Sequence, residues 1–224
     1  MPAGSCSLHA APSFTGEFET HLTVSAGSTE KIDRLAAFAV GRSVKFTHIV
    51  LDGGSTPLQP MLTLPGRGTL ASQIEATREL ARDLASGGFD VVRVKVEAAP
   101  WNDGVPSDDA AAPLLDSSLY FEHHVKLVLG PADSRGELSA VIAPFGARLS
   151  RNARRRRDDG KAEWFATQRC YRVGRSSSGA RLAALLGALE HAGYQPVEVE
   201  REFVVHDDAP SVDRGWLDSI KEAQ

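Results

Sequence analysis

The stretch YFEHHVKL, residues 120–127, puts Phe121, His123, Val125 and Leu127 in one register and Glu122, His124 and Lys126 in the other. Alternate residues of a β-strand project to the same face. The segment therefore reads as a strand with one face toward a core and one polar face, either solvated or working. A second stretch, FETHLTV at 18–24, has the same frame, with Phe18, Thr20, Leu22 and Val24 set against Glu19, His21 and Thr23.

Working outward, the first stretch is the start of a repeated order. Residues 16–98 read as strand 18–24, helix from Ser28 to Val40, strand KFTHIVL, extended segment QPMLTL, helix from Thr69 to Ser86 and strand DVVRVKVEA. The helices follow from apolar stripes at helical spacing, Ile32, Leu35, Ala36 and Ala39 in one and Leu70, Ile74, Thr77, Ala81 and Leu84 in the other. Ser28 suits an N-cap, and Gly87 and Gly88 suit a stop. Residues 99–119 form a loop rich in Pro, Asp and Ala, and 120–206 run through the same β-α-β-β-α-β order. FETHLTV matches FEHHVKL, PGRGT matches VGRSS ahead of each long helix, and GGFDVVRVKVE matches AGYQPVEVERE after it, in the same sequence in both halves. The expected fold is α+β, a tandem of two ferredoxin-like units whose sheets face each other across a pseudo-two-fold polar cleft. Residues 1–15 read as a mobile tail and 207–224 as a C-terminal tail.

Composition narrows the function classes. The chain has 224 residues, 42% hydrophobic and 24% charged, with a formal net charge of -4. That balance gives no global basic field for bulk nucleic-acid binding. Its two cysteines, Cys6 and Cys170, suggest no disulfide framework. No apolar run approaches the length of a membrane span or a signal peptide, so the expectation is a soluble, cytoplasmic protein without a membrane partner.

Alternation assigns Arg93, Lys95 and Glu97 of the strand ending the first half to the same polar side as His21 and His124. Two histidines at equivalent repeat positions can divide general acid and general base work, because imidazole titrates near neutrality. Thr23 and Lys126 would hold phosphate oxygens, and Arg93, Lys95 and Arg169 would supply positive charge. The expected partner is a small anionic or phosphorylated ligand, with a nucleotide or RNA as an extension; the cofactor is unknown. His48 and His123 fall in the opposite register, outside this site.

HLTV at 21–24 resembles the His-x-Thr-x motif of the two-histidine phosphoesterases, the RNA ligase-like cyclic phosphodiesterases, with a second His strand, HVKL, 103 positions later. The resemblance implies a bilobal hydrolase in which His21 and His124 are acid and base and Thr23 is a phosphate ligand. The second motif has Lys126 where that family has Thr or Ser. Other readings use the same residues. Glu19, His21, Glu122 and His124 are ligand types for zinc or another divalent metal. A cleft walled by Glu, Lys and Arg is similar to the charged tunnels of the adenylate cyclase and thiamine triphosphatase superfamily, although EFETH has His21 where their Glu-x-Glu-x-Lys signature has Lys. A solvated face of cross-strand ion pairs, or a non-catalytic ligand-binding protein, would look the same.

Two further signals are local. PGRGT at 65–69 and VGRSSSG at 173–179 look like turns ahead of helices that suit either an anion or plain capping. SRNARRRRDDGK, 150–161, reads as a basic hairpin that either guides a nucleotide or is simply solvated.

Overall fold

The computed structural model describes residues 13–25, 27–131, 133–156 and 159–217. The first unit contains β1 (Thr15–Val24), α1 (Thr29–Gly41), β2 (Lys45–Leu51), β3 (Leu58–Thr69), α2 (Leu70–Ser86) and β4 (Val91–Ala98). The second contains β5 (Tyr120–Leu129), α3 (Arg135–Ile142), β6 (Ala147–Arg156), β7 (Ala162–Tyr171), α4 (Arg175–His191) and β8 (Glu198–Asp207). Helix starts follow the sequence signals. Ser28 Oγ accepts from the Lys31 amide, and Thr69 and Ser72 form a reciprocal capping box.

Within each unit the strands pair antiparallel in the order β4-β1-β3-β2 and β8-β5-β7-β6, the ferredoxin-like order. The two sheets do not face each other across a cleft as expected. Their edges join, β4 with β8 and β2 with β6, into one closed antiparallel barrel of eight strands. The reason lies in the backbone: each unit leaves two edge strands with unpaired N–H and C=O groups, and closure satisfies all four edges at once. The helices pack on the outside, so the polar faces become the barrel interior.

The apolar register is buried as alternation demands. Leu22, Leu62 and Leu84 pack with Leu35 and Phe89 in the first unit, and Val125, Leu149, Leu185 and Leu189 with Leu138 and Ile142 in the second. A third cluster, including Phe18, Phe121, Phe203 and Val96, backs the β4–β8 seam. The β2–β6 seam is shorter, running from Ile49↔Asn152 to Leu51↔Ser150. It is braced by chain beyond β8: Trp216 and Leu217 pack on Leu51, and Trp216 Nε1 donates to the Leu149 carbonyl at 2.9 Å. At the other terminus Phe14 is buried and β1 begins at Thr15.

Two local readings change. PGRGT is not a turn but the end of β3, paired with Thr15–Glu19 of β1; a Cβ on Gly66 would lie 1.9 Å from Gln73 Oε1, so its glycine serves close packing. VGRSSSG does start α4, but its anion is internal: Asp109 accepts from the Gly174 amide at 2.7 Å and from Ser177 Oγ at 2.8 Å. No described helix is long and apolar enough to cross a membrane.

His123, in the outward register, is buried beneath α4, with Nδ1 3.0 Å from Gln168 Oε1 and Nε2 3.0 Å from Ser178 Oγ. Burial lowers its pKa from the usual 6.5, aided by the charges of His124 and Arg201, despite the Gln168 bond. A depressed folded pKa means the stability is complete above 6.5 and is lost as pH falls toward the folded value. His123→Leu is therefore expected to flatten the fall in stability between pH 7.5 and 5.5, by up to about 1.4 kcal/mol per pH unit. Melting temperatures of both proteins across that range measure it; parallel curves would refute it.

Candidate functional site

The barrel encloses a cavity of about 280 Å³. Glu19, His21, Thr23, Arg93, Lys95, Glu122, His124, Lys126 and Arg169, the residues singled out from sequence, all border it. They arrive from four strands, β1, β4, β5 and β7, and the inward register of each is fixed by the core face on its other side.

The pseudo-two-fold relation holds at the level of atoms. His21 Nδ1 lies 2.9 Å from Thr63 Oγ1 on β3, and His124 Nδ1 lies 3.0 Å from Thr167 Oγ1 on β7. On the far side of each ring, His21 Nε2 is 2.6 Å from Glu97 Oε2 on β4, and His124 Nε2 is 3.6 Å from Glu202 Oε2 on β8. Each half thus carries a Thr–His–Glu series across three adjacent strands. Both nitrogens of His21 already have close partners, so neither points unopposed at a ligand.

The three cations expected to supply positive charge, Arg93, Lys95 and Arg169, are engaged by carboxylates of the chain itself. Arg93 forms a bidentate pair with Asp207 at 2.9 and 2.6 Å and reaches Asp213 at 3.0 Å. Arg169 joins the same Asp213 oxygen at 2.6 Å and Glu122 at 3.0 Å, with its guanidinium 4.9 Å from the Tyr120 ring centre. Lys95 Nζ bridges Glu122 at 2.8 Å and Glu97 at 2.6 Å. The result is a buried series of alternating sign, Asp207, Arg93, Asp213, Arg169, Glu122, Lys95, Glu97, ending at His21. Lys126 lies apart from it, 3.1 Å from Glu198 and 3.6 Å from Glu163.

The balance of charge in the chamber is acidic. Glu19, Glu122, Glu163, Glu198, Glu200, Glu202 and Asp213 border it, against Lys45, Arg93, Lys95, Lys126, Arg155 and Arg169, with Glu97 buried directly behind. The repeat-equivalent glutamates feel this unequally. Burial would raise the Glu97 carboxyl, but Lys95 and His21 outweigh it and hold the pKa at about 2. Burial raises Glu202 well above the carboxylate range, and the charges of Glu97 and Glu200 add to the effect against a weaker pull from Lys95. Glu202 Oε2 is buried and receives no hydrogen bond. His124 is pushed below its usual value by burial, only partly countered by Glu122, which favours the neutral ring.

Carboxylate and imidazole atoms gather in two sets within 4.8 Å of one another: Glu19, His21 and Glu202, and Glu97, Glu122 and His124. The four-residue metal set read from sequence is therefore divided, each Glu-x-His strand taking its third member from the other half of the chain. Glu97, placed on the polar side but not singled out for the site, and Glu202 and Asp213 are the principal residues that sequence reasoning left out. The match of GGFDVVRVKVE with AGYQPVEVERE aligned the first two and was the available signal; Asp213 lies beyond the repeats and had none.

No family model matches the chain, and no curated protein sequence matches it. Among solved structures, the small subunit of acetolactate synthase from Thermotoga maritima is 16% identical, with 84% of this chain and 94% of that chain covered and a TM-score of 0.31. Chlorite dismutase from Candidatus Nitrospira defluvii in complex with imidazole is 10% identical, with 86% and 92% covered and a TM-score of 0.29. At those scores neither bears on the reading of the site, and the assignment as an α+β chain of two ferredoxin-like β-α-β-β-α-β units in one eight-stranded antiparallel sheet rests on strand order and register.

Proposed function

We propose that the barrel interior is the site of a hydrolase or transferase for a small phosphorylated ligand that enters with a divalent cation. The observation that carries this reading is the charge of the chamber: even with Glu202 neutral, the ionised carboxylates, Glu97 behind the wall included, exceed Lys and Arg, and the buried cations are already paired. A bare phosphate would meet a net negative wall, at a cost that grows in a site of low dielectric. A phosphate chelated by a divalent cation matches it, the cation facing carboxylates and the phosphate oxygens facing Lys45, Lys126 and Arg155, which lie outside the buried series. His124, biased toward the neutral form, is suited to take a proton from the attacking group.

A second reading, metal-free acid and base work by His21 and His124, draws support from the two matched Thr–His–Glu series in one cavity. A panel of cyclic and linear nucleotides, phosphomonoesters and inorganic polyphosphates, assayed with Mg²⁺ or Mn²⁺ and again with EDTA, separates the two. The first expects turnover that EDTA abolishes and that His124→Ala lowers by about 10²-fold or more without unfolding. The second expects turnover that persists in EDTA and falls in both histidine variants. No turnover of any compound under either condition would overturn both.

A further inference from the structure

The two Glu–His–Glu sets are equivalent in the repeat yet differ in one residue. Around Glu97, Glu122 and His124, the Lys95 ammonium stands 2.6 and 2.8 Å from the two carboxylates. The repeat partner of Lys95 is Glu200, as the alignment of GGFDVVRVKVE with AGYQPVEVERE places it. Around Glu19, His21 and Glu202 the chain therefore supplies a further carboxylate where the other half supplies a cation. Among the described residues no Lys or Arg pairs with Glu19, Glu200 or Glu202, and Glu202 Oε2 is buried without a hydrogen-bond donor.

We infer that Glu19, His21 and Glu202 bind one divalent cation, in the place that Lys95 fills in the other half of the barrel. The inference rests on reading the barrel interior as the working site and names where its cation sits. Two carboxylates and one imidazole suit a first-row ion such as Mn²⁺ or Zn²⁺ better than Ca²⁺, which prefers oxygen alone. Thr63 engages Nδ1 of His21 and so presents Nε2 as the ligand atom. That nitrogen lies 3.8 Å from Glu19 Oε2. Binding exchanges its contact with Glu97 for a bond to the ion, and Glu97 keeps its pairing with Lys95. The equivalent set holds no second ion, because a divalent cation there would have to displace a buried ammonium from two carboxylates.

The test is titration of the purified full chain with Mn²⁺, followed by calorimetry and by loss of the free-ion paramagnetic resonance signal. One ion per chain is expected. Glu202→Gln and Glu19→Gln should each weaken binding by roughly tenfold or more. Glu200→Lys recreates the arrangement of Lys95 and should abolish binding while the protein stays folded by circular dichroism. Glu19→Gln alters a partly exposed side chain and keeps the test open if a buried variant fails to fold. Two ions per chain, no binding in the wild type, or unchanged affinity in Glu200→Lys or Glu19→Gln would each overturn the site. Because no substrate is present, the outcome is separate from the turnover panel: an ion bound without turnover keeps the site and removes the proposed reaction, and turnover in EDTA without ion binding removes the site and leaves the metal-free reaction.

Discussion

Lys95→Met is expected to lower the folding free energy by about 3–5 kcal/mol at neutral pH. Methionine keeps the length and most of the packing of the side chain, so the change isolates the ammonium. Its two partners are among the most buried charged groups of the chain, with Glu97 1% and Glu122 0% exposed, and Lys95 itself has only 13% of its side chain exposed. Removing one member of a buried ion cluster leaves charge that solvent cannot reach, which is why the penalty exceeds that of a surface pair. The pH dependence follows from the sign of the Glu97 shift. Its folded pKa, about 2, lies below the ordinary 4.5, so its contribution is complete above 4.5 and disappears as pH falls toward 2. The gap between wild type and variant should accordingly narrow below about pH 4.5. Urea unfolding at pH 7 and pH 4 measures both statements; a loss under about 1 kcal/mol at pH 7 would show that Lys95 does not compensate the two glutamates.

Asp213→Ala should have a comparable effect of about 3–5 kcal/mol, concentrated at the end of the chain. Asp213 accepts from Gln59 Nε2 at 2.9 Å and, through its other oxygen, from Arg93 and Arg169. It fastens the segment after β8 across the barrel, where Trp216 and Leu217 cover Leu51 beside the short β2–β6 seam. Without the carboxylate, two guanidinium groups lose a shared partner, and the segment is left with the apolar contacts and the Trp216 Nε1 bond to the Leu149 carbonyl as its buried anchors. The expected results are protease cleavage within 208–217, which the wild type resists, and a red shift of tryptophan fluorescence as Trp216, 6% exposed, meets water. An unchanged cleavage pattern and spectrum would mean that Trp216 and Leu217 hold the segment alone.

Much of this molecule was legible in its sequence because alternation and repetition constrain each other. The assignment of His124 to the chamber and His123 to the core follows from Phe121, Val125 and Leu127, whose burial leaves no other register. Barrel closure was not legible. It depends on backbone pairing between strands far apart in sequence, and no side-chain pattern distinguishes an edge that meets another edge from one that meets water. The fate of the cations was hidden for a related reason. Arg93 and Arg169 read as free charges until Asp207 and Asp213, at and beyond the end of the repeats, fold back to meet them. Glu97 was visible in the polar register, but its contact with His21 depends on the β1–β4 alignment, in which Glu19 faces Glu97 and His21 faces Lys95.

The exchange of Lys95 for Glu200 has a consequence for why the two units share one polypeptide. A barrel assembled from two copies of a single unit would show the same residue at both positions, either an ammonium at each pole or a carboxylate at each. The first would leave nothing to attract a metal, and the second would double the unbalanced negative charge in a buried space. A fused chain, whose halves can diverge independently, can instead carry an ammonium at one pole and a carboxylate at the other.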